Sequence, residues 1–241
     1  MKPDILFSIA NFPITNTVIA TIISDIIITI FIIKINKVIS LKPCSLQNIA
    51  EMIINYFIEI TNKLAGEKSL FISPWILSFF MFILISNLIA QFPGFESITF
   101  LKTSMQKNHC KVQILKSVSS DLNFTTAIAV ISVVLTHHLS IKHIGIKSYV
   151  TKFVNFKIFP IFFFVGILEF LNEITKVISF SFRLFGNISS GEKIMTTMYE
   201  IFPFILPLPF ILLEFLVAVV QATVFSLLTM VFMHIMTDKS I

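Results

Sequence analysis

Apolar runs long enough to cross a bilayer alternate along the chain with short lysine-bearing stretches, which predicts an all-α polytopic membrane protein of about five transmembrane helices. Residues 16–33 form the first run, apolar and β-branched, stopped by Lys34, Lys37 and Lys42. Residues 43–68 mix Ile, Met and Phe with Gln, Glu and Asn at near-helical spacing, predicting an amphipathic helix at the membrane surface. Further spans follow at 69–92 and 122–141, separated by a polar loop over 95–120 and followed by a basic stretch over 142–157. The whole chain reads as one integral membrane domain. It has a tail at 1–15, peripheral spans, an amphipathic helix and loops over 16–157, and a helical hairpin over 158–241.

The hairpin departs from a simple pair of spans. Residues 158–199 are helical in pattern yet carry Glu169, Glu173, Lys176, Arg183, Glu192 and Lys193. At about 1.5 Å per residue this helix would run about 60 Å, twice the hydrocarbon thickness of a bilayer. It must therefore be broken or steeply tilted, with its polar groups turned toward protein or water. Pro203, Pro207 and Pro209 make the turn into a last helix at 210–236.

Composition removes the soluble alternatives. With 56% hydrophobic and 13% charged residues and a mean hydropathy of +0.92, the chain is too apolar for a soluble domain. The net charge of +5 sits on lysines between spans, so topology explains it and nucleic-acid binding is not expected. Loops 34–68 and 142–157 and the C-terminus carry 10 lysines, against 5 on the opposite side, which predicts a cytoplasmic C-terminus. Cys44 and Cys110 form no disulfide framework or metal-ligand pattern, and no metal or cofactor is expected. The first span lacks a small-residue cleavage site and is expected to be retained.

Arg183 is the one arginine among 18 basic residues. A guanidinium keeps its charge in any protein environment and offers a fixed fork of donors, whereas a desolvated ammonium can lose its proton. An arginine at membrane depth costs at least about 2.5 to 3.5 kcal/mol and by default marks a functional site. The competing reading is an arginine snorkelling to the headgroups, which the long apolar sequence on both sides disfavours. Counting outward from the turn before Pro203 places Arg183 opposite Gln221, with Glu192 and Glu214 opposite each other nearer the turn. Glu169 and Asn187 share the face of Arg183, and Glu214 shares that of Gln221. Glu192 falls nominally on the far side of its helix from Arg183. Ala218, Ala222 and Ser226 make a small-residue stripe for close helix approach.

Two motifs are decoys. GNISSGEK lacks the Lys directly after the second Gly and follows no strand, so it is not a phosphate-binding loop. Adjacent His137 and His138 point to different helix faces and are read as interfacial anchors. Asp25, inside the first span, is read as a single carboxylic acid near another helix.

SFSFRLFGNISSGE resembles the signature around the essential arginine of subunit a of F-type ATP synthase, the stator subunit beside the rotating ring of c subunits. The resemblance extends through LQNIAEMI, NLIAQFPGF, SSDLNFTTAIA, ILEFLNEITKVIS and LEFLVAVVQATVFSLLTMVF, and its style is bacterial more than mitochondrial. It implies a non-catalytic, proton-translocating subunit of a cell membrane, partnered by the c-ring, subunit b and the other ATP synthase subunits. By this resemblance Arg183 is the essential arginine, Asn187 and Gln221 its polar neighbours, and Glu192 and Glu214 groups of the outer half-channel. Bacterial relatives often carry His at the Glu214 position; Glu at both positions implies two carboxylates sharing a proton. Asp121 and Asn123 are further candidates for proton entry, Glu169 and Glu173 for exit. A stand-alone transporter would show an inverted repeat, which the two halves lack. A non-conducting scaffold would tolerate replacement of Arg183 and Gln221.

Overall fold

The computed structural model describes residues 5–9, 12–39, 44–91, 99–103, 109–113, 115–146, 149, 161–203 and 205–238. The long apolar runs satisfy their backbone hydrogen bonds internally, as a lipid environment demands, and become α1 (Asn16–Val38), α3 (Ser69–Ala90), α4 (Leu122–Ile144) and α6 (Pro207–Thr237). Among the described residues, these four helices are long and apolar enough to cross a membrane. The amphipathic stretch forms α2 (Ser45–Ala65), and the charged helical stretch forms α5 (Ile161–Ile201). Of the two possibilities left open for α5, a break does not occur: its 41 residues form one continuous helix.

Local chemistry sets several boundaries. Asp121 caps α4 by accepting a hydrogen bond from the Asn123 backbone N–H at 3.0 Å. Pro207 opens α6 three residues before the expected start, because its ring is preset for a first helical turn and needs no N–H partner there. Gly66, at φ 54°, ends α2 in a backbone region that a side chain would disfavour. Two segments expected as tail and loop contain short antiparallel hairpins, β1 (Ile5–Ile9) with β2 (Phe12–Thr15) and β3 (Thr99–Thr103) with β4 (His109–Gln113). Their β-branched and aromatic residues favour the pleated form, and pairing satisfies backbone groups that a loop would leave to water.

Hydrogen bonds at the two ends fix the antiparallel order. At one end, here called basal, Lys68 Nζ donates to the Thr237 carbonyl at 2.7 Å and Ser140 Oγ to the Met236 carbonyl at 2.6 Å. At the apical end Gln91 Nε2 donates to the Glu214 carbonyl at 2.7 Å, and Thr17 Oγ1 to Asp121 Oδ2 at 3.1 Å. Between them α3 packs on α6 and α2, and α4 on both α5 and α6. Ala218, Ala222 and Ser226 are completely buried, so the small-residue stripe is the contact it was expected to be. Phe225 stacks between Phe180 of α5 and Phe79 of α3, at ring separations of 4.8 and 5.8 Å. By contrast α1 stands off from the bundle. Asp25 opens onto an apolar cleft of about 760 Å³ between α1 and helices α2, α3 and α4.

Candidate functional site

Halfway along α5, Phe180, Leu184 and Ile188 point into the bundle and are buried, which turns Arg183 to the flank of the helix. The Arg183 Nη2 donates to Ser179 Oγ, one turn back, at 3.3 Å. Among the described residues Arg183 forms no salt bridge. One turn toward the apical end, Asn187 Nδ2 donates to Gln221 Oε1 at 2.8 Å. This corrects the expected register: Gln221 meets Asn187, not Arg183, because the 202–206 turn and the early start at Pro207 shift the hairpin centre toward α6. Gln221 is buried, and its Nε2 has no hydrogen-bond partner among the described residues.

Nearer the turn, Glu214 of α6 meets α5 at Gly191. A Cβ built on Gly191 would lie 2.6 Å from Glu214 Oε1, so the Glu214 carboxylate occupies the notch left by the missing side chain. Glu192 follows directly in α5, and both glutamates are half-buried. Gln91, at the end of α3, grips the Glu214 backbone from the other side. The arrangement sets two carboxyl groups at one level of the hairpin, about two turns apical of Arg183.

Asp121 is buried at the head of α4, joined to α1 through Thr17. Asn123 contributes its backbone N–H to Asp121, while its side chain is exposed. Beside them the buried turn Val118–Ser120 donates from Ser119 Oγ to Asn87 Oδ1 at 2.6 Å. Asn87 Nδ2, Ser86 Oγ, Ser117 Oγ and Gln91 Oε1 are buried with no hydrogen-bond partner among the described residues. Such groups are ordinarily satisfied by water. Sequence reasoning passed over Asn87 and Gln91. Their spacing of four puts both on one face of an otherwise apolar span, which was the available signal.

At the basal end Glu173 is buried, with Oε1 2.6 Å from Lys176 Nζ and Oε2 3.5 Å from His137 Nε2 on α4. Lys176 Nζ also lies 4.4 Å from the centre of the Phe232 ring on α6. The Tyr149 hydroxyl is 2.9 Å from His137 Nδ1. Burial pushes the Tyr149 hydroxyl above its ordinary pKa, and the Glu173 and Glu169 carboxylates push in the same direction. The hydroxyl therefore keeps its proton and hydrogen-bonds the ring at Nδ1, while Nε2 faces Glu173. His137 is thus part of a polar cluster with Glu173, Lys176 and Tyr149, contacts that its reading as an interfacial anchor did not include. Spacing alone could not reveal this, since the partners come from another helix and from beyond α4. Glu169 is half-exposed, one turn basal of Glu173. Among the described residues no group of His, Cys, Asp and Glu is placed to hold a metal ion.

Residues 16–234 match the family model described as ATP synthase A chain. The chain belongs to the ATP synthase A chain family. Similar proteins include ATP synthase subunit a of Moorella thermoacetica, 29% identical over 96% of this chain and 95% of the relative. Those of Geotalea daltonii, 33% identical over 87% and 82%, and Citrifermentans bemidjiense, 31% identical over 84% and 79%, are similar too. Membership in the ATP synthase A chain family assigns the chain to ATP synthesis and ion transport, as a membrane-embedded subunit of the Fo sector.

Proposed function

We propose that the chain is the proton-conducting stator subunit of a bacterial F-type ATP synthase, presenting two aqueous half-channels to a rotating ring of c subunits. The observation that carries this reading is a difference between two cations on α5. Lys176 is buried and neutralised by Glu173, whereas Arg183 keeps an unbalanced charge half-exposed on the flank of its helix. A rotor carboxylate cannot enter lipid while ionised, so it must gain a proton from one half-channel and release it into the other. A fixed guanidinium between the two favours the ionised carboxylate as it passes and repels a proton that would cross directly. Each charge that crosses supplies about 2.3 kcal/mol per 100 mV to rotation.

In this reading the apical half-channel runs from Asp121 and Asn123 past Glu192 and Glu214 to Asn187 and Gln221. The unpartnered buried atoms of Asn87, Ser117 and Gln221 support a hydrated path there. Glu169 borders the basal half-channel, where Glu173 stands as a fixed charge. Subunit b and the remaining ATP synthase subunits complete the assembly. Nucleotide chemistry occurs on other subunits, the C-terminus lies in the cytoplasm, and the host is the bacterial plasma membrane. A cysteine at the exposed Ser190, two turns from Arg183 on the same face, tests the contact with the ring. With Cys44 and Cys110 replaced by Ser, oxidation of Ser190→Cys is expected to crosslink to cysteines on the outer helices of the c-ring and to halt pumping until reduced. Crosslinking to static subunits alone would place the rotor elsewhere.

A further inference from the structure

We propose that Glu173 serves ion transport as the counter-charge that switches off Lys176, leaving Arg183 the one unbalanced cation on the rotor-facing stripe of α5. The inference rests on the stator reading above. Lys176 lies seven residues from Arg183, about 10 Å along the helix and about 20° around it, so the two cations share one stripe. Along that stripe the ammonium and the guanidinium differ in their surroundings. Lys176 is buried against Glu173 and the Phe232 ring, while among the described residues Arg183 has the Ser179 hydroxyl as its one polar partner, through the bond described above.

The geometry of Glu173 suits a fixed charge better than a proton carrier. Its two oxygens face different groups, Oε1 the Lys176 ammonium and Oε2 the His137 ring, and its side chain is buried. Tyr149 holds the imidazole from its other nitrogen, so the carboxylate is clamped from α4 as well as from its own helix. Without the carboxylate, Lys176 would place a second cation beside the basal half-channel. When ATP hydrolysis drives the pump, the rotor carboxylate takes up its proton on that side. A nearby cation favours the ionised carboxylate and so opposes the uptake.

The test compares Glu173→Gln, Lys176→Met, Glu173→Gln with Lys176→Met together, and Arg183→Ala, each in the complete complex. ATP-driven proton uptake by inverted vesicles is followed against external pH. Glu173→Gln is expected to slow uptake about tenfold at neutral pH and to move its pH profile toward acid by about one unit, the size of shift one added cation imposes. The double variant, which removes the uncompensated ammonium with its partner, is expected to restore both rate and profile. If Glu173 carries protons, the double variant stays as slow as Glu173→Gln, and the inference fails. If the pair is only structural, Glu173→Gln and Lys176→Met lose assembled complex alike with the pH profile unmoved, which also overturns it. Arg183→Ala separates the two levels: uptake at the wild-type rate in that variant removes the stator reading itself.

Discussion

Inverted vesicles carrying Arg183→Lys are expected to lose ATP-driven proton uptake by about a hundredfold or more, although the substitution keeps a formal positive charge. Arg183 holds its charge on the flank of α5, and among the described residues its one polar partner is the Ser179 hydroxyl. A lysine in that position is a shorter, strongly hydrated point charge that can shed its proton as a rotor carboxylate excludes water around it. Once neutral, it neither favours the ionised carboxylate nor blocks a direct proton path. The protein itself uses lysine at 17 of its 18 basic positions, and the one buried in α5 near this site is paired with a glutamate. Equal recovery of the c-ring with the mutant subunit, alongside the lost uptake, separates this effect from failed assembly. Uptake at the wild-type rate would show that charge alone suffices at Arg183.

The second large effect belongs to the glutamate pair. Glu192→Gln and Glu214→Gln together are expected to lower uptake about a hundredfold, the scale on which removing a positioned acid or base is felt. Either substitution alone leaves one carboxyl group at that level of the hairpin and is expected to cost about tenfold. Gly191 gives an independent handle on the same geometry. In Gly191→Ala the new methyl carbon would stand 2.6 Å from Glu214 Oε1, so the carboxylate must leave its notch while both acids remain in the chain. Uptake should fall with normal assembly, and Glu214→Gln should then add little further loss. Full activity in the double glutamine variant would remove this pair from the proton path.

Much of the architecture was legible because the bilayer imposes one solution on long apolar runs: each closes its hydrogen bonds as a helix. The positions of α1, α3 and α4, the amphipathic α2 and the buried stripe of Ala218, Ala222 and Ser226 follow from that. The approach of Glu214 to the Glu192 level was legible too, since an antiparallel hairpin pairs residues equidistant from its turn. The same count failed by one turn at Arg183. The 202–206 turn and the start of α6 at Pro207 decide where the centre falls, and proline spacing alone leaves that open. His137, Glu173, Lys176 and Tyr149 come together from separate parts of the chain, so no local spacing announced the cluster. The β3 and β4 strands lay within a stretch whose lysines read as loop.

ATP-driven proton uptake by inverted vesicles containing Arg183→Ala, measured against wild type at equal amounts of assembled complex, shows whether the guanidinium gates proton transfer to the rotor. Complete assembly with no uptake is expected, because nothing then holds the ionised rotor carboxylate between the half-channels. Uptake at the wild-type rate would contradict it and make Arg183 a structural residue.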